Sequence, residues 1–80
     1  MSYYIIVFKN TLDAMTGEKK LNEYNYRFRM MPTPTTITQS CGICIRIEEE
    51  SILNEVLDSK IISFKSVYRR DAQGYTLVRE

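Results

Sequence analysis

The chain has 80 residues, 44% of them hydrophobic and 26% charged, with 11 Lys and Arg against 10 Asp and Glu. One small domain over residues 1–80 is expected, and a chain this short buries only about 60–65% of its unfolded surface, which argues against a deep enclosed active site. The balanced charge, with no basic cluster beyond Arg69-Arg70, argues against nucleic acid as a partner; the short apolar runs argue against a membrane span, and the absence of histidine removes the usual general base and the commonest zinc ligand.

Tyr3 to Phe8 is continuously apolar and β-prone, as suits a central strand covered on both faces. This opening segment has no basic n-region or small-residue cleavage site, so a cytoplasmic, reducing setting is expected. Asn10 and Thr11 are helix N-cap candidates with Asp13 at the positive end of the dipole, and a helix is expected over 11–24. Its inner face reads Ala14, Gly17, Leu21 and Tyr24. Gly17 costs roughly 1 kcal/mol relative to Ala in a helix interior, which close packing against a sheet would explain.

Tyr26 to Met30 alternates with period two, placing Tyr26, Phe28 and Met30 inward and Arg27 and Arg29 outward, and Pro32 and Pro34 end this second strand. A polar loop follows through Ser40. The third strand starts near Gly42 and runs to Ile47 with Ile43, Ile45 and Ile47 on one face. A second helix over 49–59 carries the stripe Ile52, Leu53, Val56 and Leu57, with Glu48, Glu49 and Glu50 at its favourable N-terminal end. A fourth strand is expected over 61–68, with Ile62, Phe64 and Tyr68 on one face. Asp71-Ala72-Gln73-Gly74 then has the composition of a four-residue hairpin loop leading to an added strand at 75–78.

The order β-α-β-β-α-β predicts an α+β, ferredoxin-like sandwich: a four-stranded antiparallel sheet with both helices on one face and room for an extra C-terminal strand. The other face would be open. Because the first strand is apolar on both sides, a homodimer through that open face is the simplest cover.

Thiol chemistry is the only chemistry the chain concentrates. Cys41 and Cys44 both lie where the polar loop runs into the third strand. A thiol acts as its thiolate and needs exposure with a positive or hydrogen-bond-donating surround; Gly42 would let successive N–H groups turn toward the Cys41 sulfur. The alternative is a small buried cysteine closing the strand entrance. The Cys41-x-x-Cys44 spacing matches redox pairs only if strand geometry begins after Cys41, since residues three apart on a strand face opposite ways. By parity Cys44 shares the open face with Arg46, and Arg27, Arg29 and Arg46 are the nearest cations for a thiolate. Thr35, Thr36, Thr38 and Ser40 either contact an anion or bond their own backbone. A zinc site would require sharing across a dimer, because one chain offers two cysteines and no histidine.

These residues resemble a small bacterial family of selenium/sulfur carrier protein-like domains, found alone and fused behind a sulfur-carrier-type domain. The resemblance spans Tyr3 to Tyr68: the apolar strand ending in Phe8, Thr11-x-x-Ala14-x-x-x-Glu18 on the first helix, Pro32-Thr33-Pro34, and Ser40-Cys41-Gly42 entering the third strand. Residues 69–80, the hairpin or tail, lie outside it. It implies a compact α+β domain in which Cys41 carries sulfur or selenium as a persulfide or selenosulfide. Such a carrier needs no cofactor and takes donor and acceptor proteins as partners. Pro34, Ser40 and Gly42 would shape the cargo site, with Cys44, if it can reach, releasing the cargo as a second thiol. Two departures stand out: Thr35 replaces the basic residue common after the second proline, and Cys44 replaces a small apolar residue. The competing expectation is a non-enzymatic, dimeric binding or regulatory module that holds a ligand or partner near residues 32–40, with both cysteines structural.

Overall fold

The computed structural model describes residues 2–37 and 42–80. Its elements are β1 (Tyr3–Val7), α1 (Thr11–Glu23), β2 (Arg29–Pro32), β3 (Ile43–Ile47), α2 (Glu50–Ser59), β4 (Ser66–Asp71) and β5 (Gly74–Arg79). The strands form one antiparallel sheet in the order β2-β3-β1-β4-β5. The sheet therefore has five strands rather than four. Two antiparallel neighbours on β1 satisfy its backbone, so its apolar side chains can turn to both faces at no polar cost.

Both helices pack on one face. Tyr4, Ile6 and Phe8 from the first strand segment, Ile45 and Ile47 from β3, and Val67 from β4 meet Ala14 and Leu21 of α1 and Leu53, Val56 and Leu57 of α2. Asn10 caps α1 as its sequence suggests: its Oδ1 accepts from the Asp13 N–H at 2.8 Å. The predicted inner face holds for Ala14, Gly17 and Leu21, which are buried. Tyr24 departs from it, because the helix ends at Glu23 and the ring, 55% exposed, stacks on Tyr26.

The expected burial alternation of residues 26–30 is present, but ladder pairing begins only at Arg29, opposite Arg46. β3 ends at Ile47, opposite Phe28 in this register, so Tyr26 and Arg27 lie beyond the end of the partner strand. The fourth strand is displaced further, to residues 66–71. Lys60, in the left-handed region at φ 57°, ends α2, and Ile61, Ile62 and Phe64 pack on the helix-side core as irregular chain. β1 offers partners only from Tyr3 to Val7, which fixes β4 as the segment beginning at Ser66. The irregular stretch resets the parity, so Val67 faces the helices and Tyr68 the other side. The hairpin is also tighter than expected: Asp71 pairs with Gly74 across a two-residue loop, and the Asp71 carboxylate accepts from Gln73 N–H at 2.9 Å. Gly74, at φ 119°, takes a conformation that other residues resist.

Close packing accounts for Gly17. A methyl group there would sit 3.0 Å from Cζ of the fully buried Phe8 ring, which would have to shift by a few tenths of an ångström within a packed core. Gly17→Ala is therefore expected to lower unfolding free energy by about 1 kcal/mol, overpacking outweighing the better helix propensity of alanine; a urea titration reads the sign.

Candidate functional site

The loop after β2 is tied at its base. Pro32 pairs with Ile43, and Thr33 N–H donates to the Gly42 carbonyl at 3.1 Å. Pro34 opens a turn in which its carbonyl accepts from Ile37 N–H at 3.1 Å. That turn folds the loop back, and Ile37 packs against Ile5, Val7 and Cys44 on the sheet face away from the helices. Met31, Tyr3, Tyr68 and Tyr75 complete this second apolar cluster. The face expected to be open is thus partly roofed by the chain's own loop and by β5.

Cys44 lies under that roof. It is fully buried, and its Sγ makes a long contact of 3.9 Å to the Pro32 carbonyl. Gly42 is exposed at the loop base with nothing within 4 Å of where a side chain would begin, and Pro34 is half-buried at the turn. Cys41 and Ser40, with Thr38 and Gln39, lie outside the described residues. Among the site residues read from sequence, the structure thus brings Pro34, Gly42 and Cys44 to one loop base and one roof.

Arg46 shares the face of Cys44, as parity predicted, but its guanidinium is engaged elsewhere. Its Nε donates to the Glu48 carboxylate, and its Cζ lies 3.7 Å from the centre of the Tyr3 ring. This bond holds the Glu48 carboxyl below its ordinary range and raises Arg46 above its own. Residues that sequence reasoning passed over complete the site. Ile37, the one Leu-, Ile- or Val-type residue in the run from Thr33 to Ser40, was the available signal for the roof. Tyr75 OH and Tyr3 OH form a hydrogen bond of 3.2 Å, and Arg70 lies 4.9 Å from the Tyr75 ring. Burial, then the bond to Tyr3, pushes the Tyr75 phenol up to about 12.

A model of the family described as "Putative Se/S carrier protein-like" matches residues 3–69. The chain belongs to this family. Comparison with curated proteins and with solved structures finds no significant match. The family segment includes both cysteines and the whole loop, and ends within β4, before the turn and β5, which supplies Gly74 and Tyr75 to the face beside it. Among the described residues, no helix is long and apolar enough to cross a membrane.

Two outcomes follow from this geometry. The Thr33 hydroxyl is buried with no hydrogen-bond partner among the described residues, so Thr33→Val is expected to leave stability unchanged or raise it by up to about 1 kcal/mol in a urea titration. Tyr75 is raised in the folded state, so unfolding releases its proton more readily. Stability is then full below pH about 10 and declines as pH rises toward about 12, and Tyr75→Phe should flatten that decline in thermal melts taken across this window.

Proposed function

We propose that this chain is a sulfur or selenium carrier that loads Cys41. The reading is supported by membership of the carrier-like family over residues 3–69, together with the complete burial of Cys44. With Cys44 beneath the roof, Cys41 is the thiol left to meet an external donor. The Cys41 thiolate attacks the terminal sulfur of a donor persulfide R–S–SH. A Cys41–S–SH bond forms, the donor S–S bond breaks, and R–S⁻ departs with the electron pair. An acceptor thiolate repeats the exchange and returns Cys41 to its thiolate. In selenium transfer the terminal atom is selenium and the bookkeeping is the same.

Cys44 enters as the second thiol. Once Ile37 lifts, its thiolate attacks the Cys41 sulfur, forming Cys41–S–S–Cys44 and expelling HS⁻; the thiol pair is oxidised and the outer sulfur reduced. Specificity resides in what docks at the loop, and a thiol reductant resets the Cys41–S–S–Cys44 disulfide before the next loading. We read β1 to β4 with the two helices as the ferredoxin-like plan, supported by the strand order β2-β3-β1-β4, with β5 appended to the β4 edge. The second reading, a binding module with structural cysteines, draws on the same burial of Cys44 and on the cleft beside its roof.

The deciding experiment is the alkylation rate of each cysteine against pH, followed by peptide mass, with a parallel sample treated with polysulfide. Fast labelling of Cys41 below the ordinary thiol pKa of about 8.5, with a gain of one sulfur on that residue, is expected; Cys44 should label only as the fold opens. If Cys41 labels only on unfolding and gains no sulfur, the carrier reading fails and the binding module stands.

A further inference from the structure

Two clefts among the described residues differ in how their arginines are used. The first, about 460 Å³, is lined by Arg27, Phe28, Arg29, Arg46 and Glu48. It already contains its own counter-ion: Glu48 bonds Arg46, and Arg29 also lowers its pKa. The second, about 420 Å³, is lined by Thr36, Ile37, Tyr68, Arg70, Gly74 and Tyr75. Here the charge is unmatched. Among the described residues, Arg46 and Arg69 are paired with Glu48 and Asp71, while no carboxylate lies within ion-pair reach of Arg70.

Arg70 is half-buried, with an aromatic ring but, among the described residues, no carboxylate beside it. Its placement is fixed. It sits directly across from Tyr75 in the β4–β5 ladder, with its guanidinium over the Tyr75 ring, and that ring is anchored by its hydroxyl to Tyr3. Stacking occupies the face of a guanidinium and leaves the N–H fork at its edge, the geometry that takes a carboxylate through two parallel bonds. Thr36 adds a hydroxyl to the lining, and Ile37 and Tyr68 add apolar walls. A volume of about 420 Å³ suits a small molecule and is too small for a folded element.

We infer that this cleft binds the carboxylate of a small thiol-bearing acid, with Arg70 as its anchor. Thr36 and Ile37 belong to the same loop that continues in sequence to Cys41. Naming the ligand as the sulfur donor, which it becomes only as its persulfide R–S–SH and which it leaves as the thiolate R–S⁻, rests on the carrier reading; carboxylate binding itself does not. Three of the six lining residues, Arg70, Gly74 and Tyr75, lie beyond the family segment, so half of the lining, its anchor included, is outside the matched region.

The test uses full-length Cys41→Ser protein, so that binding is measured without transfer. Titration with 3-mercaptopropionate, followed by amide NMR, should shift Thr36, Ile37, Arg70, Gly74 and Tyr75, while 2-mercaptoethanol, which has the thiol but no carboxylate, should not. Arg70→Gln should weaken binding at least tenfold, and Arg70→Lys should weaken it less; thermal melts verify that both variants are folded. The inference is overturned if the two thiols shift the same amides equally, or if Arg70→Gln and Arg70→Lys both bind like the parent. It is also overturned if a short peptide with a free C-terminal carboxylate binds where 3-mercaptopropionate does not. If carboxylate binding is found while Cys41 of the wild-type chain gains no sulfur, the site stands and the carrier reading alone fails.

Discussion

Everything in this structure answers to a single strand that is apolar on both sides. Tyr4 and Ile6 of β1 point to the helices and Ile5 and Val7 to the opposite face, and each of these four is buried. A strand of this kind must have a ladder partner on each edge and apolar cover on each face. β3 and β4 supply the edges, and α1 and α2 cover one face. The other face is closed by different means: the Pro32–Ile37 loop and the β5 hairpin bring Ile37 and Tyr75 over Ile5, Val7 and Cys44. At roughly 25 cal/mol per Å² of apolar surface, covering that face matters to a domain of this size, whose whole stability margin is a few kcal/mol.

The loop that roofs Cys44 is also the loop that continues in sequence to Cys41. The proposed two-thiol release needs such a link, because a release thiol exposed from the outset would compete for the donor. The backbone bond between Thr33 and Gly42 and the Pro32–Ile43 pair hold the base of the loop, while the Ile37 side chain covers the sheet by apolar contact. Cover of that kind can open without breaking the ladder.

Charge is distributed in layers that the near-zero total conceals. α1 and α2 carry Asp13, Glu18, Glu23, Glu50, Glu55 and Asp58, whereas Asp71 is the only acid within β1 to β5, beside Arg29, Arg46, Arg69, Arg70 and Arg79. Arg29 and Arg46 stand directly opposite each other on β2 and β3, an arrangement of like charge that destabilises a sheet unless something offsets it. Glu48 does so here. Among the described residues Arg70 has no such neighbour, so the two ends of the face differ in charge balance.

The sequence by itself determined the elements whose signals are local. Asn10 capping α1, the three isoleucines of β3, the Leu53, Val56 and Leu57 stripe of α2 and the two-sided character of β1 were all legible, because capping, periodicity and apolar run length act within a few residues. The turn after Pro32 was legible for the same reason, from its prolines and hydroxyls. What only the tertiary structure decided was set by partners distant in the chain. The length of β1 fixed where β4 begins and so reversed the facing of Tyr68; the end of β3 shortened β2; the end of α1 left Tyr24 in solvent. The burial of Cys44 beneath Ile37 and Tyr75, and the pairing of some arginines but not Arg70, belong to the same class, since exposure and ion pairing depend on what the folded chain brings alongside, which no local pattern encodes.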